Sequence, residues 1–243
     1  MASRRTPPIA ILLPPSEGKA EGGKAPAWKT TSGVFGRALG PRRADVAATL
    51  LNAKGGDAKL LGVNGAHLAR AQQANRSLIG GPTLPAHQRY TGVVWEHLSP
   101  PTLSTAARTR ARDSVVVVSG LLGLVGFDDP VPDYRLKMGA SLAPLGKVST
   151  WWRLSLSDAL DEWAEGRFVI DLLPGEHRAA WTPSADGYAG LVSVSFVEKS
   201  GKVAGHDAKA AKGMLARHLL ESSGDVEKAL KAWKHPRFRL AFK

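Results

Sequence analysis

The chain has 243 residues, 43% of them hydrophobic, and its 33 Lys+Arg against 21 Asp+Glu give a formal net charge of +12. A chain of this length can bury a substantial core, so we expect one compact domain over residues 1–243. The absence of cysteine excludes disulfides, thiolate metal sites and a cysteine nucleophile, and it fits a reducing cytoplasm. The basic excess indicates an anionic partner, although a solubilising surface would also produce it.

No segment of the sequence indicates a membrane anchor. The longest uncharged apolar run, residues 114–127, is too short to cross a bilayer and is interrupted by glycines. The opening residues MASRRTPP have basic side chains but no apolar stretch behind them, so we expect no signal peptide. These features predict a soluble, cytoplasmic protein without membrane contacts.

Apolar runs and helical periodicity alternate along the chain. Strands are predicted within residues 7–15, 113–126, 166–176 and 191–199, and helices over residues 42–54, 65–78, 150–165 and 207–223. No repeat is detectable. The order predicts an α/β fold of mixed α+β character, in which a single compact domain has a mixed sheet and flanking helices.

The first predicted strand leads into Pro-Pro-Ser-Glu-Gly-Lys, which has some likeness to a phosphate-binding loop. A P-loop requires glycine where this chain has Leu13 and Ser or Thr where it has Ala20, and the prolines remove N–H donors. A nucleoside-triphosphate loop is therefore excluded. A turn remains, with the hydroxyl of Ser16, the carboxylate of Glu17 and the cation of Lys19 at a sheet edge where ligands often bind. A solvated turn is the alternative.

A Gly-Val-Asn-Gly turn lies between two helical patterns in residues 60–72. It indicates a helix-hairpin-helix-like element over about residues 42–78, and such hairpins offer backbone N–H groups to DNA phosphates. The usual Gly-apolar-Gly spacing is expanded by one residue, so an ordinary αα-hairpin fits the pattern equally well.

Two further segments place polar groups beside apolar ones. In RYTGVVWEHL, Tyr90 and Thr91 precede an apolar stretch, and an aromatic ring beside a basic residue can stack on a base; core packing of Tyr90 and Trp95 is the alternative. A four-valine strand ends at Ser119 and Gly120, where small residues allow another backbone to come close.

The loop after the four-valine strand has alternating character. In an extended conformation Asp133, Arg135 and Lys137 share one face, and Tyr134 and Leu136 share the other. The charged face is a candidate anion-binding surface. A structural Asp–Arg pair within the loop is the alternative.

Carboxylates follow the third predicted strand, in the segment IDLLPGEH. Asp171 and Glu176 come directly after buried residues, as Glu17 does earlier in the chain. If the protein is an enzyme, these three residues are its candidate general acids or bases.

A basic stripe is predicted on the helix near residue 210. At about 100° per residue His206, Lys209, Gly213 and Arg217 lie on one face, with Lys212 beside it. Glycine in mid-helix costs about 1 kcal/mol relative to alanine, so Gly213 suggests close approach of a backbone or a phosphate. A solvated amphipathic face is the alternative. The seven histidines have no metal-ligand spacing, so no metal and no cofactor are predicted.

Together these motifs resemble the YaaA family, the peroxide stress resistance proteins, from about residue 9 to residue 220. The motifs are LLPPSEGK, YTG, SGLLGL followed by PDYRLKMG, WW, DLLPGE and AKAAKGMLAR. The resemblance implies a YaaA-like fold, a role in limiting damage from unincorporated iron, and DNA binding through a basic cleft. The positions that carry it are Ser16, Lys19, Tyr90, Thr91, Ser119, Gly120, Tyr134, Arg135, Lys137, Trp152, Asp171, Glu176, Lys209, Lys212 and Arg217.

Two functions follow as expectations. The first is a protein of the oxidative stress response that binds double-stranded or branched DNA with little sequence specificity, because its basic side chains contact phosphates. The second is an enzyme acting on a nucleotide, nucleobase or other small anionic ligand, because carboxylates and hydroxyls follow the strand ends. Direct iron sequestration is disfavoured by the spacing of the histidines.

Overall fold

The computed structural model of the chain describes residues 6–24, 26–198 and 208–243. Its strands, in chain order, are β1 (Ile9–Leu13), β2 (Thr83–Pro85), β3 (Val115–Ser119), β4 (Gly123–Gly126), β5 (Pro130–Pro132), β6 (Ser141–Leu142), β7 (Gly146–Lys147), β8 (Phe168–Asp171), β9 (Gly190–Glu198) and β10 (Phe238–Phe242). Its helices are α1 (Gly36–Asn52), α2 (Ala58–Leu61), α3 (Gly65–Arg76), α4 (Ala86–Arg89), α5 (Val93–Leu98), α6 (Thr105–Ser114), α7 (Val148–Ala164), α8 (Gly175–Arg178), α9 (Ala208–Glu221) and α10 (Val226–Ala232).

The central feature of the described residues is a six-stranded mixed sheet in the order β10-β9-β8-β1-β3-β4. β1 pairs in parallel with β3 and β8, β8 pairs in parallel with β9, and the edge strands β4 and β10 are antiparallel to their neighbours. β1 and β3 are apolar and buried, as strands in the middle of a sheet must be. The predicted mixed α/β domain is confirmed. Because β1 and β8 are parallel neighbours, the loops that follow them meet at one sheet edge.

The run of residues 113–126 divides into two strands rather than one. β3 ends at Ser119, and the chain returns as β4 in antiparallel register with Ser119 opposite Gly123. Gly120 in this hairpin is tightly packed, because a Cβ there would lie 2.7 Å from the carbonyl oxygen of Leu136. The close backbone approach predicted at this glycine is confirmed, and the approaching segment is the loop at residues 134–138.

Part of the basic excess is structural. Arg43 of α1 is 1% exposed, and its guanidinium donates to four main-chain carbonyls at 2.6–3.1 Å. Two of them belong to the β3–β4 hairpin and two to the segment before α1, so Arg43 ties these regions together. Arg89 is also buried and donates to the carbonyls of Ala20, Gly22, Pro82 and Val131. These two cations are therefore committed to the scaffold.

The predicted hairpin turn lies between α2 and α3. Gly62 ends α2 in the left-handed conformation, at φ 62°, and Asn64 precedes α3. α2 is a single turn of four residues, capped by Asp57, whose side chain accepts from the Leu60 N–H. A helix-hairpin-helix is not confirmed, since its first helix is reduced to this turn, and DNA binding by the segment stays a prediction.

Helix α9 packs tightly against α5. A Cβ on Gly213 would lie 2.2 Å from the carbonyl oxygen of Val94, which leaves no room for any other residue. The close approach of a backbone or a phosphate predicted at Gly213 is therefore confirmed as that of a backbone, the one of α5. No helix among the described residues combines the length and apolar character needed to span a bilayer.

Candidate functional site

A pocket of about 340 Å³ lies at the sheet edge where the loops after β1 and β8 meet. The turn before α5, the loop after β5, the start of α8 and the start of α9 complete it. Its lining comprises residues 14–19, 92–95, 134–137, 174, 176, 177, 209 and 212. Of the residues predicted from sequence, the pocket brings together Ser16, Glu17, Lys19, Tyr134, Arg135, Lys137, Glu176, Lys209 and Lys212.

The turn after β1 is closed by Ser16. Its hydroxyl oxygen accepts a hydrogen bond from the Thr91 N–H at 3.0 Å, and the hydroxyl donates to the carbonyl of Gly18. Lys19 forms an isolated β-bridge with Tyr90, which fixes the end of the turn. The turn therefore presents Glu17 and Lys19 to the pocket as two neighbouring, oppositely charged groups.

Lys19 is half-buried against an aromatic surface. Its Nζ donates to the carbonyl of Ser16 at 2.9 Å and lies 4.1 Å from the centroid of the Tyr134 ring. Burial lowers the pKa of Lys19 to about 7; the charge of Asp133 raises it and that of Arg135 lowers it further. A substantial fraction of this amine is thus neutral at physiological pH.

A chain of buried hydroxyls supports the Tyr134 ring. The Tyr134 hydroxyl lies 2.7 Å from Ser119 Oγ and 3.1 Å from the Tyr90 hydroxyl, and Ser119 Oγ also accepts from the Leu122 N–H. Burial raises the pKa of Tyr134 to about 12, so the phenol stays neutral. The Tyr90 ring packs 5.4 Å from that of Trp95, as the core-packing alternative predicts. The structure therefore places Tyr90 and Ser119 behind the pocket lining.

Glu17 pairs with cations of the loop after β5. Its carboxylate lies 3.0 Å from Arg135 Nη2 and 3.6 Å from Lys137 Nζ. Although partial burial acts to raise it, the charges of Lys137 and Arg135 lower the pKa of Glu17. Arg135 Nε donates to the carbonyl of Leu61, which fixes the guanidinium. A Cβ on Gly62 would lie 3.2 Å from Lys137 Nζ, so the hairpin turn forms the outer support of this cluster.

The alternation predicted for this loop is confirmed by burial. Tyr134 and Leu136 are buried, whereas Asp133, Arg135 and Lys137 are partly exposed. The alternative, an Asp–Arg pair within the loop, is not formed. Asp133 pairs at 3.0 Å with Arg70 of α3 and not with its neighbour Arg135, which leaves that guanidinium to Glu17.

Asp171 lies behind the pocket and is fully buried. Its carboxylate accepts from the Leu173 N–H at 2.8 Å, from Ser193 Oγ at 2.9 Å and from Arg178 Nε. It thereby orients the loop from β8 to α8, in which Pro174 lines the pocket. Among the three candidate acids, Glu17 and Glu176 line the pocket and Asp171 does not.

Glu176 and His177, both in α8, form one wall of the pocket. Glu176 is half-exposed, and a Cβ on Gly139 would lie 2.7 Å from its Oε2, so glycine leaves space for the carboxylate. His177 is 7% exposed, and its Nδ1 has no hydrogen-bond partner among the described residues. Burial, assisted by the charge of Lys212, lowers the pKa of His177 to about 4, so the ring is neutral. Sequence reasoning missed His177, although its place after Glu176 was a usable signal.

Helix α9 contributes two cations to the pocket. Lys209 and Lys212 line it, and Lys212 Nζ donates to the carbonyl of Leu172 at 2.6 Å. Burial lowers the pKa of Lys212 to about 8, while the charge of Asp171 opposes this effect. His206, predicted on the same helix face, lies outside the described residues.

Arg217 does not reach the pocket. Its guanidinium donates to the carbonyls of Leu98, Ser99 and Thr102 at 2.8–3.1 Å, at the end of α5, and lies 3.6 Å from Glu221. Of the residues predicted on one basic face of α9, Lys209 therefore lines the pocket and Arg217 does not. Among the described residues, no group of three or more His, Asp or Glu side chains could hold a metal ion.

The sequence matches a known family over nearly its whole length. Residues 9–242 fit the family model described as peroxide stress protein YaaA. The UPF0246 protein SCO2297 of Streptomyces coelicolor is 35% identical over 215 residues, which cover 87% of this chain and 83% of that protein. The UPF0246 protein Cgl1995/cg2186 of Corynebacterium glutamicum is 32% identical over 226 residues, covering 91% and 89%. The UPF0246 protein CE1889 of Corynebacterium efficiens is 34% identical over 232 residues, with the same coverage.

Proposed function

The chain belongs to the peroxide stress protein YaaA family, and from this premise we propose that it binds DNA phosphates in the pocket described above. It acts on double-stranded or branched DNA with little sequence readout, and through this binding it helps limit damage from unincorporated iron. The observation that carries the proposal is the convergence of cations from three separate parts of the chain on one concave surface. These cations are Lys19, Arg135, Lys137, Lys209 and Lys212.

The electrostatic balance of the pocket supports an anionic occupant. The lining cations outnumber its two carboxylates, Glu17 and Glu176, and the buried ring of His177 is neutral. Desolvation lowers the pKa of both Lys19 and Lys212, which is a cost that a bound phosphate would relieve. Backbone phosphates satisfy this requirement irrespective of base sequence.

Salt dependence of binding tests the proposal. Fluorescence anisotropy with labelled duplex and four-way-junction DNA should give a slope of log K against log salt of about −0.9 for each phosphate neutralised. The double variant Lys137→Glu/Lys209→Glu should abolish most of the affinity. The double variant Lys228→Glu/Lys231→Glu, which makes the same charge change at two exposed positions of α10, is the matched control and should retain it. Equal affinity of the double variant and the control would contradict the proposal.

A small anionic ligand is a second candidate, favoured by one observation. The pocket contains the carboxylate of Glu176 and the buried, unpartnered Nδ1 of His177, and phosphate neutralisation does not require either. A thermal-shift screen over nucleotides and nucleobases tests this function. Stabilisation that Glu176→Gln removes and Lys228→Gln preserves would support it. No stabilisation by any compound would leave DNA binding as the function of the pocket.

A further inference from the structure

Lys19 differs from Arg135 and Lys137 of the pocket in its surroundings. Arg135 and Lys137 pair with Glu17, whereas in the described part of the chain no carboxylate lies within 4.0 Å of Lys19 Nζ. Its Nζ contacts the carbonyl oxygen of Ser16 and the face of the Tyr134 ring. A neutral amine still donates to this carbonyl, whereas the ring face also stabilises the ammonium form through a cation–π contact.

The pocket is also suited to a reaction at this amine. Lys19 emerges from a turn fixed by Ser16 and rests on a ring held by buried hydroxyl hydrogen bonds, so its amine is well oriented. Burial lowers its pKa to about 7, and only the unprotonated form is a nucleophile. The charged and titratable groups that face it are Glu17, Arg89, Tyr90, Asp133, Tyr134 and Arg135.

We propose that Lys19 is a nucleophile that forms an imine with an aldehyde carrying a phosphate group. The inference rests on the proposed phosphate binding, because Lys137, Lys209 and Lys212 would hold the phosphate while the carbonyl carbon meets Lys19 Nζ. A ligand that carries both an aldehyde and a phosphate would contact Lys19 and these cations at once, which explains why a nucleophilic amine lies among them.

The chemical step is a condensation that needs no external oxidant or reductant. The Nζ lone pair attacks the carbonyl carbon, and the C=O π electrons become a lone pair on oxygen. Proton transfer from nitrogen to oxygen gives a neutral carbinolamine, and Glu176, which lines the same pocket, can exchange that proton. Glu176 in its protonated form gives the hydroxyl a second proton, so that it leaves as water while the nitrogen lone pair forms the C=N bond of an iminium ion. The iminium N–H proton returns to Glu176 to leave the imine. Hydrolysis reverses the sequence and regenerates the amine.

Two sources supply this chemistry. One is the open-chain sugar aldehyde at an abasic site in DNA, flanked by phosphates, and the other is a free sugar phosphate. The test is reductive trapping with sodium borohydride, which converts the imine into a stable secondary amine. One arm uses a duplex with a single abasic site and the other uses glyceraldehyde 3-phosphate. Trapping in the first arm alone identifies DNA as the source, and trapping in the second alone identifies the small molecule.

The expected result is a covalent adduct whose mass-spectrometric peptide map places it on Lys19. Lys19→Arg should lower adduct yield at least tenfold and Lys228→Arg, on exposed α10, should preserve it. The trapping rate of the wild type should rise with pH through about 7. An adduct on other lysines, equal yields in the two variants, or no adduct in either arm would overturn the proposal. Because the map uses the wild-type protein, it decides even if Lys19→Arg fails to fold.

A parallel anisotropy titration separates this inference from the proposed function. DNA binding without trapping means that the pocket binds phosphate and that the imine proposal is wrong. Neither binding nor trapping means that both are wrong. Trapping of glyceraldehyde 3-phosphate without DNA binding means that the pocket serves a small phosphorylated aldehyde and not DNA.

Discussion

The two halves of helix α9 carry the same kind of residues but have different tasks. We divide the helix after Lys212: in its N-terminal half Lys209 and Lys212 line the pocket, and in its C-terminal half Gly213 packs on α5 and Arg217 donates to the carbonyls at the end of α5. The difference arises from what each half faces. Lys209 and Lys212 face the pocket beside the loop after β8. Arg217, one to two turns later, faces the main-chain carbonyls at the end of α5, which have no intrahelical partner and attract a cation. The basic stripe therefore divides into a part that lines the pocket and a part that belongs to the scaffold.

The largest expected effect comes from filling the contact at Gly213. Gly213→Ala places a Cβ 2.2 Å from the Val94 carbonyl, and we expect a loss of about 3 kcal/mol in the free energy of unfolding through overpacking. Urea denaturation measures it. Met214→Ala, at the neighbouring exposed position, should change the stability by less than about 0.5 kcal/mol. Equal stability of the two variants would show that the scaffold half is not tightly packed.

Removing the charge of Asp171 tests whether its buried carboxylate stabilises the segment after β8 that borders the pocket. Asp171→Asn lowers the acceptor capacity facing Leu173, Ser193 and Arg178, and we expect a loss of about 2 kcal/mol. Denaturation is the measurement, with exposed Asp158→Asn as the control. If Asp171→Asn kept the stability of the wild type but lost binding of DNA or of a small ligand, Asp171 would instead have a direct role in that binding.

Truncating Arg217 separates the two halves of α9. Arg217→Ala removes donors to the α5 carbonyls, so the free energy of unfolding should fall by about 1.5 kcal/mol. The DNA affinity of the folded variant should equal that of the wild type. The matched variant Arg112→Ala removes an exposed ion pair with Asp128 and should cost about 0.5 kcal/mol. If Arg217→Ala lost DNA affinity, Arg217 would belong to the residues that contact DNA.

The pH dependence of DNA binding tests the pocket half. The pKa of Lys19 is about 7 and that of Lys212 about 8, so both lose positive charge as the pH rises from 6 to 9. DNA affinity should fall about tenfold over this interval, which is about 1.4 kcal/mol. Lys19→Arg should weaken the dependence, because arginine remains charged. Anisotropy titrations at constant ionic strength measure it, and an affinity that does not change with pH would contradict the prediction.

The smallest effect is expected at a single pocket cation. Lys209→Ala should weaken DNA binding by about 1 kcal/mol and make the salt slope about 0.9 less steep, because it removes one phosphate contact. Its unfolding free energy should match that of the wild type. Lys228→Ala is the control for a change of one positive charge outside the pocket. A loss of stability in Lys209→Ala would place this residue in the scaffold half.

Much of the fold was predictable because local patterns carry it. Apolar runs placed β1, β3, β8 and β9, and helical periodicity placed α3, α7 and α9, each within a few residues. The segments lining the pocket were also predictable, since polar groups after buried strands meet at a sheet edge. The alternation of Tyr134 and Leu136 with charged neighbours predicted which side chains would face outward.

The sequence by itself determined the mixed α/β class, the basic excess, the absence of thiol chemistry and the segments that carry polar groups. Only the tertiary structure decided the task of each charge. Arg43 and Arg217 donate to carbonyls from distant segments, Asp133 pairs with Arg70, and His177 is buried in the pocket wall. The physical reason is that desolvation and hydrogen-bond partners depend on contacts between residues far apart in the chain, which local spacing does not contain.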